Sequence, residues 1–317
     1  MKTIDSFNKK ELVTIVVVTY NSSLSVLNTL ESAYRQTYRN IELIVSDDCS
    51  TDETFQICKE WINVHKERFV RTICTQTLHN KGICWNYNHA LKLAKGDWIK
   101  YIAGDDILWD NCILQFIENI RPNIFLYYCG QEQKYEGNGK KEYTIPKIPN
   151  DTAKKQLYLI LRHAYGTHGA TLFANSNKLI ATSGFDEKYQ MIEDGPITYK
   201  FLVNQLAIGF LNKVLVTWNV HCSSVSHCGS SQNVEFTKNM REVEHYYRNR
   251  YCLQNGLLLQ WYHSKADYYI ATHYKKGFFA KLFGYSLRLF DILFWYRLRH
   301  PVQSVNILQN YNPSNTY

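Results

Sequence analysis

The sequence predicts an α/β fold: a doubly wound, mostly parallel mixed sheet followed by a helical C-terminal extension that is basic and aromatic. Residues 13–19 are an unbroken β-branched run, which is typical of a strand buried on both faces of a parallel sheet. Strand-like and helix-like patterns then alternate up to residue 103, and residues 275–300 mix aromatic side chains with Lys and Arg at helical spacing. Such alternation implies right-handed crossovers, so ligands are expected beyond the carboxyl ends of the strands.

The first β-α unit joins the 13–19 strand to an amphipathic helix. Apolar side chains recur at intervals of three, at Leu24, Leu27 and Leu30, and predict one apolar helical stripe. Asn21 or Ser22 is expected to cap this helix, because both types can accept a bond from the first free N–H groups.

Two further units follow before residue 104, with strands predicted at 41–45, 70–75 and 98–103. Residues 50–53, Ser-Thr-Asp-Glu, have the form of a capping box at a helix start. Gly96 is expected to end the helix that begins near Cys84.

The pattern changes in the second half of the chain. Residues 130–156 are rich in Lys, Glu, Gly and Asn, and they are predicted to form an excursion or loop outside the core. A second structured block covers about 157–228 and includes a predicted strand at 207–217.

Composition excludes several classes of protein. With 317 residues, 45% hydrophobic and 20% charged, the chain is expected to be globular. Nine scattered cysteines without a CxxC motif predict reduced thiols. The first ten residues lack the apolar run of a usual signal peptide, and the most apolar stretch, 277–296, contains Lys281, Arg288 and Asp291. We therefore expect a cytoplasmic protein with no membrane-spanning segment.

The positive charge lies mainly in the C-terminal extension. The formal charge of the chain is +8, and residues 232–317 hold 11 Lys/Arg against 5 Asp/Glu. Such a region is attracted to phosphate, but it contains no recognised nucleic-acid motif, so no nucleic-acid partner is expected. A basic, aromatic helix at 275–300 suits an anionic membrane surface, and packing of this helix on the preceding domain is the equal alternative.

Polar groups follow three predicted strands, at Thr19-Tyr20-Asn21, Asp47-Asp48 and Asp105-Asp106. In a parallel sheet these strand ends converge, and two acidic pairs at one edge need a cation or hydrogen-bond donors to neutralise them. The alternative is that Asp47, Asp48 and Asp106 begin helices, where the helix dipole favours carboxylates.

Four motifs, in chain order, resemble family 2 glycosyltransferases of the GT-A fold. The segments that carry the resemblance are 14–21, 45–52, 80–82 leading through 94–99, and Gly104-Asp105-Asp106, followed by 184–187, Glu193-Asp194 and 218–226. The resemblance covers about residues 12–228. It implies a GT-A domain at 1–231, with a nucleotide-binding half at 12–106 and an acceptor half at about 157–228, while 232–317 is a separate helical extension.

The resemblance also implies roles for individual residues. Nucleotide binding falls to Val18, Tyr20, Asp48, Asn80 and Gly104, with a carboxylate suited to the imide N–H of uracil and a tyrosine ring able to stack on the base. A divalent cation, Mg²⁺ or Mn²⁺, is assigned to Asp105, Asp106 and His221. Asp194 holds the position of the catalytic base, and its alternative role is to start a helix.

The sequence departs from the family pattern at Ala103, where an aspartate is common, at Cys49, where glycine is usual, and around Trp85 to Tyr87. His221 also has an alternative, a zinc site with Cys222, His227 and Cys228, although the spacing matches no usual zinc pattern.

The resulting hypothesis is an inverting glycosyltransferase that moves a sugar from a UDP-sugar to a hydroxyl acceptor. The acceptor is expected to be a glycan or lipid-linked glycan in cell-surface polysaccharide assembly, at the inner face of the membrane. A nucleotidyltransferase is one alternative, but residues 19–23, Thr-Tyr-Asn-Ser-Ser, lack the glycine-rich phosphate loop that it needs. A degenerate, non-catalytic binding or membrane-scaffolding protein is the other, suggested by Ala103.

Overall fold

The structure is a computed structural model that describes residues 11–137, 139–163, 167–221, 227–228, 231–232, 234–273, 277–299 and 305–307. The strands are β1 Val13–Thr19, β2 Ile41–Asp47, β3 Arg71–Gln76, β4 Trp98–Ala103, β5 Ile107–Leu108, β6 Leu126–Tyr135, β7 Lys141–Pro146, β8 Leu172–Asn175, β9 Gly209–Val220, β10 His227–Cys228, β11 Ser231–Gln232 and β12 Val305–Ile307. The helices are α1 Val26–Tyr34, α2 Thr54–His65, α3 Ile83–Leu93, α4 Cys112–Glu118, α5 Ala153–His163, α6 Ser176–Ala181, α7 Asp194–Val203, α8 Val234–Gln254, α9 Leu258–His273, α10 Phe278–Leu289 and α11 Ile292–Arg299.

One mixed sheet organises the molecule, with strand order β12-β7-β6-β8-β4-β1-β2-β3. The strands β3, β2, β1 and β4 are parallel, as the sequence predicts for the first hundred residues. From β8 onward the pairs are antiparallel, except that β9 runs parallel to β6 and also pairs with β5. The carboxyl ends of β1, β2 and β4 therefore meet at one edge, where Thr19 lies opposite Asp47 and Val18 opposite Ala103.

Helices cover both faces of the sheet, which makes it doubly wound. Alternate residues of β1 enter two separate apolar clusters: Val16 and Val18 pack with α3 and the C-terminal half, while Ile15 and Val17 pack with α1 and α2. This two-sided burial explains the unbroken β-branched run, because neither face of β1 meets water.

The predicted start of α1 is wrong. Leu24 is fully exposed and Leu27 is half-exposed, whereas Val26, Leu30 and Ala33 form the buried face. The helix begins at Val26, without a side-chain cap. Asn21 instead accepts hydrogen bonds from Thr51.

The predicted capping box at 50–53 is also wrong. Glu53 precedes α2 without a capping bond, Ser50 donates to Asp47, and Asp52 accepts from the backbone N–H of Thr54. Short-range hydrogen bonds to the Asp47 and Asp52 side chains are formed here instead of the paired Ser50–Glu53 bonds of a capping box.

Gly96 does not end α3 through a left-handed conformation, because Ala94 already leaves the helix in extended geometry. A Cβ at Gly96 would lie 2.5 Å from the backbone N of Thr14, so glycine is needed for close approach to β1.

The polar region 130–156 is part of the sheet, contrary to the sequence prediction. It supplies most of β6 and all of β7. Glu132 on β6 accepts hydrogen bonds from Thr217 and Tyr143 and pairs with Lys141 at 2.8 Å. The charge is therefore buried with partners, which an average of hydropathy cannot reveal.

The C-terminal extension is helical as predicted, but it packs extensively on the preceding chain. Val243, Tyr247 and Cys252 of α8 join the core, and β12 pairs antiparallel with β7. The predicted helix at 275–300 is two helices, α10 and α11, while residues 274–276 and 300 lie outside the described ranges. Among the described residues, no helix has the length and apolarity needed to cross a membrane.

Candidate active site

The end of β1 and the loop after β2 form the first wall of the site. Tyr20 is half-exposed, and Asn21 adopts a left-handed conformation with φ of 50°. The Asn21 Oδ1 accepts from the N–H of Thr51, while Ser50 donates to Asp47. These bonds hold the loop that begins with Asp48 against the end of β1.

Asp48 is buried at the end of β2 and does not start a helix. Its carboxylate accepts hydrogen bonds from the backbone N–H groups of Lys81 and Gly82 at 3.0 and 2.8 Å, and from Thr77 Oγ1 at 3.2 Å. Asp48 therefore fixes the loop that carries Asn80. A uracil imide N–H that donates to Asp48 would add to the hydrogen bonds that this carboxylate already accepts from Lys81, Gly82 and Thr77.

The same loop borders an open cavity of about 300 Å³, whose lining includes Thr77, Lys81 and Trp85. Lys81 Nζ lies 4.2 Å from the Trp85 ring centroid, and His89 stacks on that ring. Asn80 is exposed at this rim, where its Oδ1 accepts from Gly82 N–H. The cavity thus lies beside Asp48, on the β3 side.

Gly104 and Val18 lie where β1 and β4 end. Gly104 N–H donates to the Val18 carbonyl at 2.9 Å, and a Cβ at Gly104 would lie 2.9 Å from Thr19 Cγ2 and 3.1 Å from Ser22. Glycine is therefore required for close packing here. The Val18 side chain is buried in the core, so it can offer only backbone atoms to a ligand.

The acidic pair after β4 meets the end of β9. Asp105 Oδ2 lies 2.8 Å from His221 Nε2, and this hydrogen bond raises the pKa of His221. Asn219 donates through Nδ2 to the Asp105 carbonyl at 2.6 Å, and its N–H donates to Asp106 Oδ1 at 3.0 Å. Asp106 is buried, and burial together with the neighbouring Asp105 raises its pKa.

The donor atoms fit a hard or borderline divalent cation in part. Asp105 offers a half-exposed carboxylate and His221 an imidazole nitrogen, whereas Asp106 already holds the β9 backbone. The described residues contain no ready cluster of three or more ligating side chains. Such a site suits Mg²⁺ or Mn²⁺ that takes its other ligands from substrate phosphates. Cys222 and the side chains of His227 and Cys228 lie outside the described residues.

Asp194 is the first residue of α7, preceded at the cap by Glu193 without a capping bond. Its Oδ2 accepts a hydrogen bond from Thr167 Oγ1 at 3.0 Å. Burial raises the pKa of Asp194 to about 6, partly offset by the bond from Thr167. A helix start and a carboxylate poised near neutral pH are thus combined in one residue.

Glu193 adds a second carboxyl beside Asp194. Burial and the Asp194 charge raise the pKa of Glu193 to about 8. A Cβ on Gly169 would collide with Glu193 Oε1, so this glycine leaves the space that the carboxyl occupies. The preceding residue, His168, packs on Trp218 with ring centroids 4.4 Å apart.

Comparison with known proteins identifies the family. A model described as glycosyl transferase family 2 matches residues 14–179, which is half of the chain. The protein belongs to glycosyl transferase family 2. The matched segment of this family member contains β1 to β8 and the strand ends that carry Asp48 and Asp105.

Relatives with assigned activities match over shorter stretches. The family member is 42% identical over 96 residues to the UDP-Glc:alpha-D-GlcNAc-diphosphoundecaprenol beta-1,3-glucosyltransferase WfaP of Escherichia coli, a match that covers 30% of this chain and 36% of WfaP. It is 26% identical over 229 residues to an uncharacterized glycosyltransferase of Rickettsia typhi, covering 71% of this chain and 69% of the relative.

Solved structures share the GT-A fold. The S. aureus TarS fragment 1–349 in complex with UDP-GlcNAc superposes with a TM-score of 0.60 at 20% identity, covering 94% of this chain and 97% of TarS 1–349. The mannosyltransferase PcManGT from Pyrobaculum calidifontis, in complex with GDP-Man and Mn²⁺, gives 0.58 at 16% identity, covering 92% and 84%.

Sequence reasoning about this family member missed residues that connect the predicted ones. Thr167, His168, Trp218 and Asn219 join the Asp105 region to Asp194. None was given a role in the site, although Trp218 and Asn219 lie in the segment 218–226 that resembles the family. The signal available was a histidine and a threonine before Gly169 in an otherwise apolar stretch, which alone cannot be told from ordinary packing.

Proposed function

We propose that this protein is an inverting glycosyltransferase that moves a sugar from a UDP-sugar to an acceptor hydroxyl. The supporting observation is Asp194, a half-buried carboxylate with a raised pKa that Thr167 holds in place. A base of this kind accepts the proton that the acceptor hydroxyl loses as it attacks the anomeric carbon. UDP leaves from the opposite face of the sugar, so the configuration inverts in one displacement without a covalent intermediate.

The uridine is assigned to the edge where β1, β2 and β4 end. Tyr20 offers an exposed ring for stacking, and Asp48, Asn80, Val18 and Gly104 line the adjoining loops. The UDP part of the donor is supported by the similar fold of TarS, solved with UDP-GlcNAc and with UDP, and by WfaP, named for UDP-Glc.

The cofactor is assigned as Mg²⁺ or Mn²⁺ held by Asp105 and His221, with Asp106 beside them. When bound, the cation neutralises the negative charge that develops on the departing diphosphate. The contribution of this chain is to fix the Asp105 backbone through Asn219 and the Asp105 carboxylate through His221. Ala103 removes a further carboxylate from this strand end without disturbing the Asp105 contacts.

The acceptor is assigned as a glycan or lipid-linked glycan in cell-surface polysaccharide assembly. WfaP, which carries GlcNAc-diphosphoundecaprenol in its name, supports a lipid-linked acceptor. A peripheral position on the inner face of the membrane would bring the active site to such a substrate.

The face of α10 and α11 supports this peripheral position. Phe279, Leu282 and Phe283 of α10 are 82%, 55% and 53% exposed, while Gly284 packs against Ile270 of α9. Phe279 and Leu282 thus face away from the protein, while Phe283 contacts Tyr269 of α9 edge to face. The exposed part of the stripe favours the membrane over the packed-helix alternative. Lys281 is exposed within the same helix, and Arg299 is exposed at the end of α11.

Arg288 does not contribute to this basic surface. It donates to Asp267 at 2.5 Å and to Asp291 at 3.0 Å, and His263 contacts the same two carboxylates. The Arg288 guanidinium therefore anchors the junction of α10 and α11 to α9. The side chains of Lys275, Lys276 and Arg297 lie outside the described residues.

A thermal-shift panel tests the proposed donor. Wild-type protein is heated with UDP, ADP, GDP, UDP-glucose and UDP-N-acetylglucosamine, each with and without Mn²⁺. A ligand at 100 times its Kd stabilises by about 2.7 kcal/mol, so uridine nucleotides with Mn²⁺ should raise Tm most. Equal increases in Tm with UDP, ADP and GDP would contradict the proposed uridine donor. Donor binding in this panel without sugar transfer in an activity assay would favour a non-catalytic binding protein.

A further inference from the structure

A chain of contacting residues connects Asp105, at the proposed diphosphate position, with Asp194, the proposed base. Asn219 holds the Asp105 carbonyl, and the preceding Trp218 packs on His168. Gly169 follows His168 and lies directly under the Glu193 carboxyl, next to Asp194. These contacts place His168 between the Asp105 region and Asp194, where we expect a sugar that reacts between the two carboxylates.

His168 has an unusual hydrogen-bonding state. Its Nδ1 is buried and has no partner among the described residues. Burial and the charge of Lys100 lower the pKa of His168 to about 4, partly offset by Asp105, so the ring is neutral at physiological pH. A neutral imidazole has one N–H donor and one acceptor nitrogen, either of which can pair with a hydroxyl.

A buried polar atom without a hydrogen-bond partner destabilises the fold unless a ligand or a water molecule forms that hydrogen bond. Trp218 fixes the His168 ring through close aromatic contact, so the imidazole is positioned before any ligand binds. Lys100, the nearby cation, donates to the carbonyls of Tyr101 and Ala170, and it forms no hydrogen bond with Nδ1 of His168.

We propose that His168 Nδ1 forms a hydrogen bond with a hydroxyl of the sugar being transferred, which makes His168 a specificity-determining residue for the donor. This inference rests on the proposed function, since it needs a sugar between Asp105 and Asp194. The residues assigned to uracil and to the cation are Tyr20, Asp48 and Asp105 rather than His168, so the binding of UDP itself does not need this bond.

The test compares UDP with UDP-glucose and UDP-N-acetylglucosamine by calorimetric titration in Mn²⁺. His168→Phe keeps an aromatic ring on Trp218 but removes both nitrogens. We expect the Kd of the preferred UDP-sugar to rise roughly tenfold while the Kd of UDP changes less than about twofold. His65→Phe is the matched control, because His65 also stacks on a tryptophan, Trp61, with ring centroids 4.4 Å apart, and lies at the C-terminal end of α2, outside the proposed site. It should leave both constants unchanged.

Conservative variants locate the interacting atom. Asn places its amide near the position of Nδ1 and Gln near that of Nε2, so His168→Asn should recover sugar affinity and His168→Gln should not. These two variants also replace His168→Phe if that protein does not fold, as judged by its melting curve.

Single-deoxy analogues of the preferred UDP-sugar complete the test. Wild type should lose about tenfold in affinity for one analogue, and that analogue should bind His168→Phe as well as the parent sugar does. Unchanged sugar affinity in His168→Phe, or equal loss of UDP and UDP-sugar, would overturn the role of His168. If wild type binds no UDP at all, the proposed function fails first, and the assignment of His168 fails with it.

Discussion

Single residues at the strand ends combine structural and chemical roles. Asp48 holds the Asn80–Gly82 loop, Asp106 holds the β9 backbone, and Asp194 begins α7. These three are among nine predicted site residues, and the fold uses each of them structurally, whereas Tyr20 and the Asp105 carboxylate also keep exposed surface for a ligand. The chemistry is thus predicted to use groups that the fold already positions.

The first prediction concerns pH. The rate of sugar transfer at saturating donor and constant Mn²⁺ should increase as pH rises through about 6, because Asp194 must lose its proton to act as a base and burial raises its pKa to that value. A pH–rate profile measures this. Asp194→Asn should lose this limb of the profile, and a wild-type rate that falls as pH rises from 5 to 7 would contradict the assignment.

The second prediction concerns the cation. Asp105→Asn should raise the Kd for UDP in Mn²⁺ to the value that wild type shows in EDTA, because an amide keeps the shape but loses the charge that holds the ion. Calorimetry in both buffers measures this. Asp110→Asn is the control, since Asp110 pairs with Arg35 on the surface. A mutant that still responds fully to Mn²⁺ would place the cation elsewhere.

The third prediction explains one departure from the family pattern. Cys49 stands where glycine is usual and has φ of 64°, a left-handed conformation that is costly for residues with a Cβ. Cys49→Gly should stabilise the fold by roughly 0.5–1 kcal/mol, after allowing for the greater freedom of glycine in the unfolded chain. Urea unfolding measures this. Cys49→Ala should show no such gain, and a destabilised glycine variant would contradict the strain.

At the scale of elements, the apolar parts of the chain were predictable and the polar parts were not. The run 13–19 and the stretch 98–103 appear as β1 and β4 because both have apolar side chains on both faces, with the buried Lys100 of β4 as the charged exception. The strands β6 and β7 were missed, since Glu132 is buried through contacts with Thr217 and Tyr143 that lie far apart in sequence. The start of α1 was misplaced because Leu24 is apolar yet exposed.

The fourth prediction belongs to α10. Phe279→Ser with Leu282→Ser should weaken binding to anionic vesicles by at least about tenfold, because two exposed apolar side chains would no longer enter the membrane interface. Vesicle co-sedimentation measures this, and raised salt should weaken wild-type binding as well. Val64→Ser with Ile180→Ser is the control, since both side chains are exposed on α2 and α6.

Point substitutions are preferable to truncation for this purpose. Removing residues 275–317 would also remove β12 from the edge of the sheet and the Arg288 contacts with Asp267 and Asp291. Vesicle binding that is equal in wild type and the α10 variant would contradict a membrane role for this face.

At the scale of the whole molecule, topology explains why the site could be predicted in part. The parallel strands β1, β2 and β4 bring Tyr20, Asp48 and Asp105 to one edge, which the strand pattern already implied. The connection to Asp194 could not be predicted, because it runs through His168 and Trp218, which come from distant segments. Contacts of that kind depend on the tertiary fold and leave no local signal.

The most direct measurement of the central claim is the rate of UDP release by Asp194→Asn, compared with its donor affinity. The preferred UDP-sugar from the thermal-shift panel is titrated into wild type and mutant. UDP release is then followed at saturating donor, with the proposed lipid-linked glycan, or water in its absence, as the acceptor of the sugar. We expect the Kd to stay within about twofold while the rate falls about 10²- to 10⁴-fold, the range for losing a general base. An unchanged rate, or loss of donor binding together with the rate, would contradict the assignment of Asp194 as the base.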